Sequence, residues 1–213
     1  MKILLRFTLR AVGGPRALYR DDQGIETLLV REPGGTELSE QIRTMLLDAK
    51  RGMPISHATE LLLFAASRAQ LVQEVIEPAL KRNAIVICDR FTDSTIAYQG
   101  YGRGIDFALI DKLNSIATGG LKPQMTVLFD LDSSEGLARL HPGGHDRLER
   151  EALDFHLRVR AGYLTLAKAD LERWRVLDAG KPFSVVQDEL GKILIEFAGK
   201  KYNLSGLLEK SLN

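Results

Sequence analysis

The residues from Ala84 to Arg90, AIVICDR, constrain this chain most. An uninterrupted apolar run with β-branched side chains suits a strand buried on both faces, as in the middle of a parallel sheet. The run ends in a carboxylate and a guanidinium. In open α/β sheets, ligands bind beyond the carboxyl ends of the strands. Asp89 placed there can hold Mg²⁺ directly or through water, and Arg90 can grip phosphate oxygens in its planar fork. A structural Asp–Arg pair at a strand end explains the dipeptide equally well.

The rest of the chain alternates around that strand. Lys2 to Leu9, Glu26 to Val30, Met125 to Leu131 and Arg175 to Leu177 read as further strands. Leu38 to Leu47 carries apolar residues at helical spacing. Ser56 is suited to cap a long helix that reaches about Arg82, with a kink or break expected at Pro78. Asp106 to Thr118, Ser133 to Leu140, Arg150 to about Ala169 and Pro182 to Phe197 also read as helices. Arg16 to Gln23 reads as a short helix with Gly24 as its C-cap. Loops are expected at Ala11 to Pro15, Arg31 to Thr36, Asp48 to Pro54 and His141 to His145, the last breaking the chain with Pro142-Gly143-Gly144. Strand and helix in alternation predict an α/β fold whose parallel sheet is covered on both faces.

Composition narrows the class. A chain of 213 residues, 45% hydrophobic and 27% charged, fills one α/β domain. The net charge of +1 gives no electrostatic case for nucleic acid or a membrane surface as partner. Cys88 is the only cysteine, so no internal disulfide can form, and a reducing, cytoplasmic setting is expected. No apolar stretch approaches the roughly 20 residues of a membrane span. Arg6 makes the start a poor signal peptide. The four histidines show no metal-ligand spacing.

Phe64 and Arg68 are one helical turn apart and share a face. That face can set a flat ring and a hydrogen-bonding fork beside a planar ligand. The plainer alternative is a core phenylalanine and a solvated arginine.

Four stretches coincide with one family. They are REPGGT at Arg31 to Thr36, ELLLFAASRAQ at Glu60 to Gln70, DRFTDSTIAYQGYGRG at Asp89 to Gly104, and DRLEREALDFHLRVRAGY at Asp146 to Tyr163. In this order and spacing they resemble the bacterial thymidylate kinases, P-loop enzymes that phosphorylate dTMP. The resemblance covers roughly residues 17–197. It implies a three-layer α/β/α fold of the P-loop NTPase type, a central parallel sheet of five strands, one domain over residues 1–213, and a homodimer formed through the helices around Leu61 to Ala79 and Asp106 to Thr118.

It also implies roles. Phe64 would stack on thymine and Arg68 would bond its edge. Ser94 and Thr95 would make a polar contact to the base. Tyr98 would crowd the sugar 2′ position. Arg31 and Arg90 would grip the dTMP phosphate. Asp89 would act at the Mg²⁺–phosphate centre. Arg139 and Arg147 would belong to a lid at about residues 139–148 that closes over ATP, the co-substrate. These roles suit phosphoryl transfer, which needs positioning, charge neutralisation and exclusion of water.

The N-terminus departs from the pattern. The family places an acidic residue and a G-x-x-x-x-G-K-[ST] loop after its first strand, where backbone N–H groups wrap the ATP phosphates. Lys2 to Arg16 contains no such motif, and Gly13-Gly14 is its only remnant. Two origins are open: a disrupted reading frame ahead of Ala17, or a divergent protein that binds dTMP without cradling ATP. The expected function is transfer of the ATP γ-phosphate to dTMP, with activity of this chain in doubt. The competing readings are a non-catalytic nucleotide-binding or dimerising protein of the same fold, and a kinase for another nucleotide or a deoxynucleoside. The tail, residues 198–213, is polar with scattered leucines and carries no functional expectation.

Overall fold

The protein is described by a computed structural model covering residues 3–7, 16–20, 26–48, 54–139 and 146–202. Its sheet has six strands in the order β2-β3-β4-β1-β5-β6. They are β1 (Ile3–Phe7), β2 (Arg16–Arg20), β3 (Glu26–Arg31), β4 (Ile85–Asp89), β5 (Met125–Asp130) and β6 (Trp174–Asp178). Neighbours from β3 to β6 run parallel, and β2 is added antiparallel to β3 at one edge.

Two expectations are therefore corrected. The sheet has six strands rather than five, and Arg16 to Arg20 is a strand rather than part of a helix. The edge of β3 offers a row of unpaired backbone groups, and Arg16 to Arg20 satisfies them, with Arg16 opposite Val30 and Arg20 opposite Glu26. Helix propensity over Arg16 to Gln23 does not weigh that antiparallel pairing with the next strand. Residues 8–15 and 21–25, with the expected turn and the Gly24 cap, lie outside the described residues.

The helices follow their caps. α1 (Glu37–Leu47) starts at Thr36, whose side chain accepts from Ser39 N. α2 (His57–Leu71) starts at Ser56, which accepts from Thr59 N. The long helix is interrupted just ahead of Pro78. It widens into a π-helical turn at Val72–Ile76, and Pro78 then falls in the first turn of α3 (Glu77–Lys81), where its missing N–H costs little. β4 leads into α4 (Thr92–Thr95) and a second π-helical segment, Ile96–Gly102, a helix that the periodicity of DSTIAYQGYG does not announce. α5 (Phe107–Thr118) is capped by Asp106. α6 (Ser133–Ala138), α7 (Leu153–Ala169) and α8 (Phe183–Tyr202) complete the chain.

Alternate strand residues feed opposite faces. Leu28, Val30, Val86 and Cys88 pack with Leu71, Val75, Ile76 and Leu80 on one side. Ile85, Ile87, Met125, Val127 and Leu177 meet Val186, Leu190 and Ile193 of α8 on the other. The chain crosses from one side of β1 to the other after β4, so the carboxyl ends of β3, β4 and β1 form the switch point where such sheets bind ligands.

Candidate active site

The site grows from the ends of β3 and β4. Arg31 and Asp89 are register partners across those strands, and Phe7 of β1 is the partner of Asp89 on the other side. Arg90 follows with φ +67°, a left-handed conformation that costs a non-glycine residue energy and persists where the surroundings enforce it. Cys88 Sγ, fully buried, donates to the Arg90 carbonyl at 2.9 Å and helps to hold that turn. The Arg90 guanidinium lies 4.9 Å from the centroid of the Tyr98 ring. The neighbouring Tyr98 favours the Arg90 cation against the opposing effect of burial. Burial pushes the Tyr98 hydroxyl up, so it stays neutral at physiological pH.

The loop after β3 turns back over this end. Glu32 N donates to Asp89 O at 2.9 Å, Glu32–Pro33 is cis, and Gly34 N donates to Ser67 Oγ of α2 at 3.3 Å. A side chain at Gly34 is excluded twice: its φ is +134°, and a Cβ would lie 2.3 Å from Glu40 Oε1. Glu40 is a tether there. It accepts from Gly35 N at 2.8 Å and from Arg31 Nη2 at 3.1 Å. Among the described residues nothing accepts from Arg31 Nε, although that atom is buried. Sequence reasoning missed Arg43, which donates to the Pro33 carbonyl at 2.9 Å. Burial, then the Arg31 guanidinium and more weakly Arg90, pull its pKa below the ordinary value. Arg31, Arg43 and Arg90 are thus close enough to repel one another, an arrangement that an oxyanion would relieve. Its signal lay in position: Arg43 is three residues after Glu40 on the helix that leaves the REPGGT loop.

Beyond the phosphate end, Phe64 is half-buried and stands outside the buried core, whereas Arg68 is 2% exposed. Arg68 is not the solvated charge of the plainer alternative. Its Nε and Nη2 reach Glu32 Oε2 at 2.8 and 2.7 Å, its Nη1 donates to Asn114 Oδ1 at 2.7 Å, and it lies 5.6 Å from the Phe91 ring centroid. Three of its five N–H groups are engaged by Glu32 and Asn114. Ser94 and Thr95 are buried on α4, and Ser94 Oγ meets the Tyr163 hydroxyl at 2.7 Å. Tyr98 and Tyr163 pack edge to face at 6.3 Å. Tyr163 was named only as the end of a motif, because α4 and α7 meet only in the fold.

This geometry agrees with the comparisons. A family model described as thymidylate kinase matches residues 18–190. The thymidylate kinase of Symbiobacterium thermophilum is 42% identical over 189 residues, covering 88% of this chain and 87% of that one. That of Citrifermentans bemidjiense is 51% identical over 162 residues, covering 73% and 72%. The crystal structure of thymidylate kinase from Ehrlichia chaffeensis matches with a TM-score of 0.63 at 37% identity, covering 79% of this chain and 81% of that chain.

The chain belongs to the thymidylate kinase family.

Within that family frame the remaining residues divide. Arg139 ends α6 and stands at the carboxyl side of β6, donating to Ala179 O at 3.1 Å and to Glu135 Oε1 at 2.6 Å. Arg147 stands elsewhere: it donates to Leu46 O at the end of α1 and to buried Glu60 of α2. The two arginines of the expected lid, about residues 139–148, therefore have different surroundings, and residues 140–145 of that stretch lie outside the described residues. So do Gly13 and Gly14. Asp130 and Asp132, the carboxylates at the end of β5, are both taken by Arg160 of α7. The glycines of YQGYG serve packing rather than phosphate. At Gly102 a Cβ would come within 2.6 Å of Phe155, and Arg158 donates twice to its carbonyl. No helix among the described residues is long and apolar enough to cross a membrane.

Proposed function

We propose that this chain binds dTMP at the ends of β3 and β4 as the acceptor of a phosphoryl group from ATP, and that in this sequence transfer runs near background. The observation that carries the reading is the proximity of Arg31 and Arg90, at the ends of β3 and β4, to Arg43 of α1, with an Arg31 donor that nothing among the described residues answers. They hold the acceptor phosphate. Phe64 stacks on the base, Arg68 bonds its edge with the N–H groups left over, Ser94 and Thr95 supply polar contacts, and Tyr98 excludes a 2′-hydroxyl. In the reaction an acceptor phosphate oxygen attacks the γ-phosphorus of ATP, and ADP leaves.

Asp89 fits Mg²⁺, which takes one or two carboxylates when phosphates and water supply the rest. No larger group of metal-binding side chains occurs among the described residues. The ATP phosphates fit less well. Thr8 to Pro15, TLRAVGGP, follows β1 without a lysine or the loop motif. One preorganised donor alone is worth about 2.7–4 kcal/mol to a transition state, so loss of the whole cradle leaves little turnover. Exposed Leu62 on α2 and Leu109 and Ile116 on α5 support a homodimer through those helices.

Calorimetry should show dTMP bound more tightly than dCMP or dGMP, and a coupled ADP-release assay should show almost no turnover. Replacing Arg6 to Arg16 with an acidic residue, a G-x-x-x-x-G-K-[ST] loop and a helix start should restore it. Equal affinity for all monophosphates would refute the site, and brisk turnover by the unrepaired chain would refute the account of the N-terminus.

A further inference from the structure

Glu60 is 0% exposed, yet its carboxylate meets two guanidinium groups. Burial pushes its carboxyl up, but hydrogen bonds from Gln99, Arg103 and Arg147 outweigh that and hold its pKa below the ordinary value. Oε1 accepts from Gln99 Nε2 at 2.9 Å and from Arg103 Nε at 3.3 Å. Oε2 accepts from Arg103 Nη2 at 3.2 Å and from Arg147. Arg103 continues to Glu151 at 2.6 Å and lies 4.6 Å from the Phe155 ring centroid. Arg147 continues to Leu46 O at 2.8 Å.

One carboxylate therefore joins α2, the π-helical segment, the end of α1 and the turn before α7. On α2 it sits one turn before Phe64 and two before Arg68, on the same face. On the π-helical segment its partner Gln99 follows Tyr98. Glu60 thus ties the helix that carries Phe64 and Arg68 to the segment that carries Tyr98. A π-helical turn is rare and poorly self-supporting, and it often marks a functional position. Here it is held from outside.

We propose that Glu60 is a positioning residue of the acceptor site: its charge, shared between Arg103 and Arg147, fixes Ile96–Gly102 against α2 and so sets Tyr98 opposite Phe64 and Arg68. Arg147 belongs to this junction and not to the ATP phosphates. The inference rests on the dTMP-site reading. A buried ion cluster that serves only the fold would change stability and leave the affinity of the folded protein untouched.

The test is calorimetry with thymidine and with dTMP on the full chain, on Glu60→Gln and on Arg147→Met, each below its melting temperature. Glu60→Gln keeps the shape and an acceptor for Gln99 and deletes the charge. It should weaken thymidine and dTMP by the same factor, roughly tenfold, within the range by which residues that do not touch a ligand modulate its binding. Arg147 is 21% exposed, and its removal leaves Glu60 with Arg103 and Gln99. Arg147→Met should show the same pattern more weakly. If Glu60→Gln does not fold, Arg147→Met decides. Unchanged affinity in a folded variant of lower stability overturns the inference alone. A loss confined to dTMP, with thymidine unaffected, also overturns it, since the cluster would then act on the phosphate. Failure of the unaltered chain to bind either ligand overturns the site reading and the inference with it.

Discussion

Arg68→Met should cost this protein roughly 3–5 kcal/mol of stability, the scale for removing one partner of a buried ion pair. Arg68 is 2% exposed and Glu32 is 4% exposed, so water cannot replace what is lost. The change removes the two contacts to Glu32 Oε2, at 2.8 and 2.7 Å, and the 2.7 Å bond to Asn114. Charge-assisted bonds are worth about 1.5–3 kcal/mol each, but they are not additive here, because two of them share one oxygen. The larger part of the cost is the loss of the Arg68 counter-charge by a buried carboxylate. Glu32→Gln in the Arg68→Met background should therefore recover most of the loss, since neither member of this pair is then charged. Urea unfolding of the two single variants and the double variant gives the cycle directly. A cost below about 1 kcal/mol for Arg68→Met, or a double variant no better than the worse single, would refute the reasoning.

Phe64→Ala should weaken dTMP and thymidine equally, by roughly 1–3 kcal/mol for one base–aromatic stack, as read by calorimetry. An unchanged affinity would return Phe64 to a packing role. Arg90→Lys should weaken dTMP by about 1.5–3 kcal/mol, because lysine offers a point charge and no fork, while thymidine binding stays level. Equal affinity of both proteins for dTMP would make Arg90 structural. The Glu60 carboxyl, facing Arg103, Arg147 and Gln99 with Glu151 beyond Arg103, has a lowered folded pKa. Its stabilisation is present above about pH 4.3, the ordinary glutamate value, and is lost as pH falls through the folded value. The stability gap between the unaltered chain and Glu60→Gln should therefore be widest near neutral pH and close in acid. A gap that persists undiminished at pH 3 would contradict this assignment.

Most of the scaffold was legible because its signals are local. Ala84 to Cys88 could only be buried on both faces, and it became β4 with Val86 and Cys88 on one side of the sheet and Ile85 and Ile87 on the other. Ser56 and Asp106 stood before apolar periodicity and cap α2 and α5. The strand ends carrying Arg31, Asp89 and Arg90 followed from the same reading, and the motifs that carry them named the family. The tertiary structure decided what depends on partners outside each segment. Arg16 to Arg20 is a strand because it pairs back on the next strand, Arg20 opposite Glu26, a pairing that helix propensity does not weigh. Arg43 comes near Arg31 and Arg90 only after the REPGGT loop folds back. Arg68 became a buried ion because Glu32 and Asn114 come to it from 36 residues before and 46 after. Arg147, from the expected lid, meets Glu60, 87 residues away, because a buried carboxylate must find its counter-charges wherever the packed chain brings them.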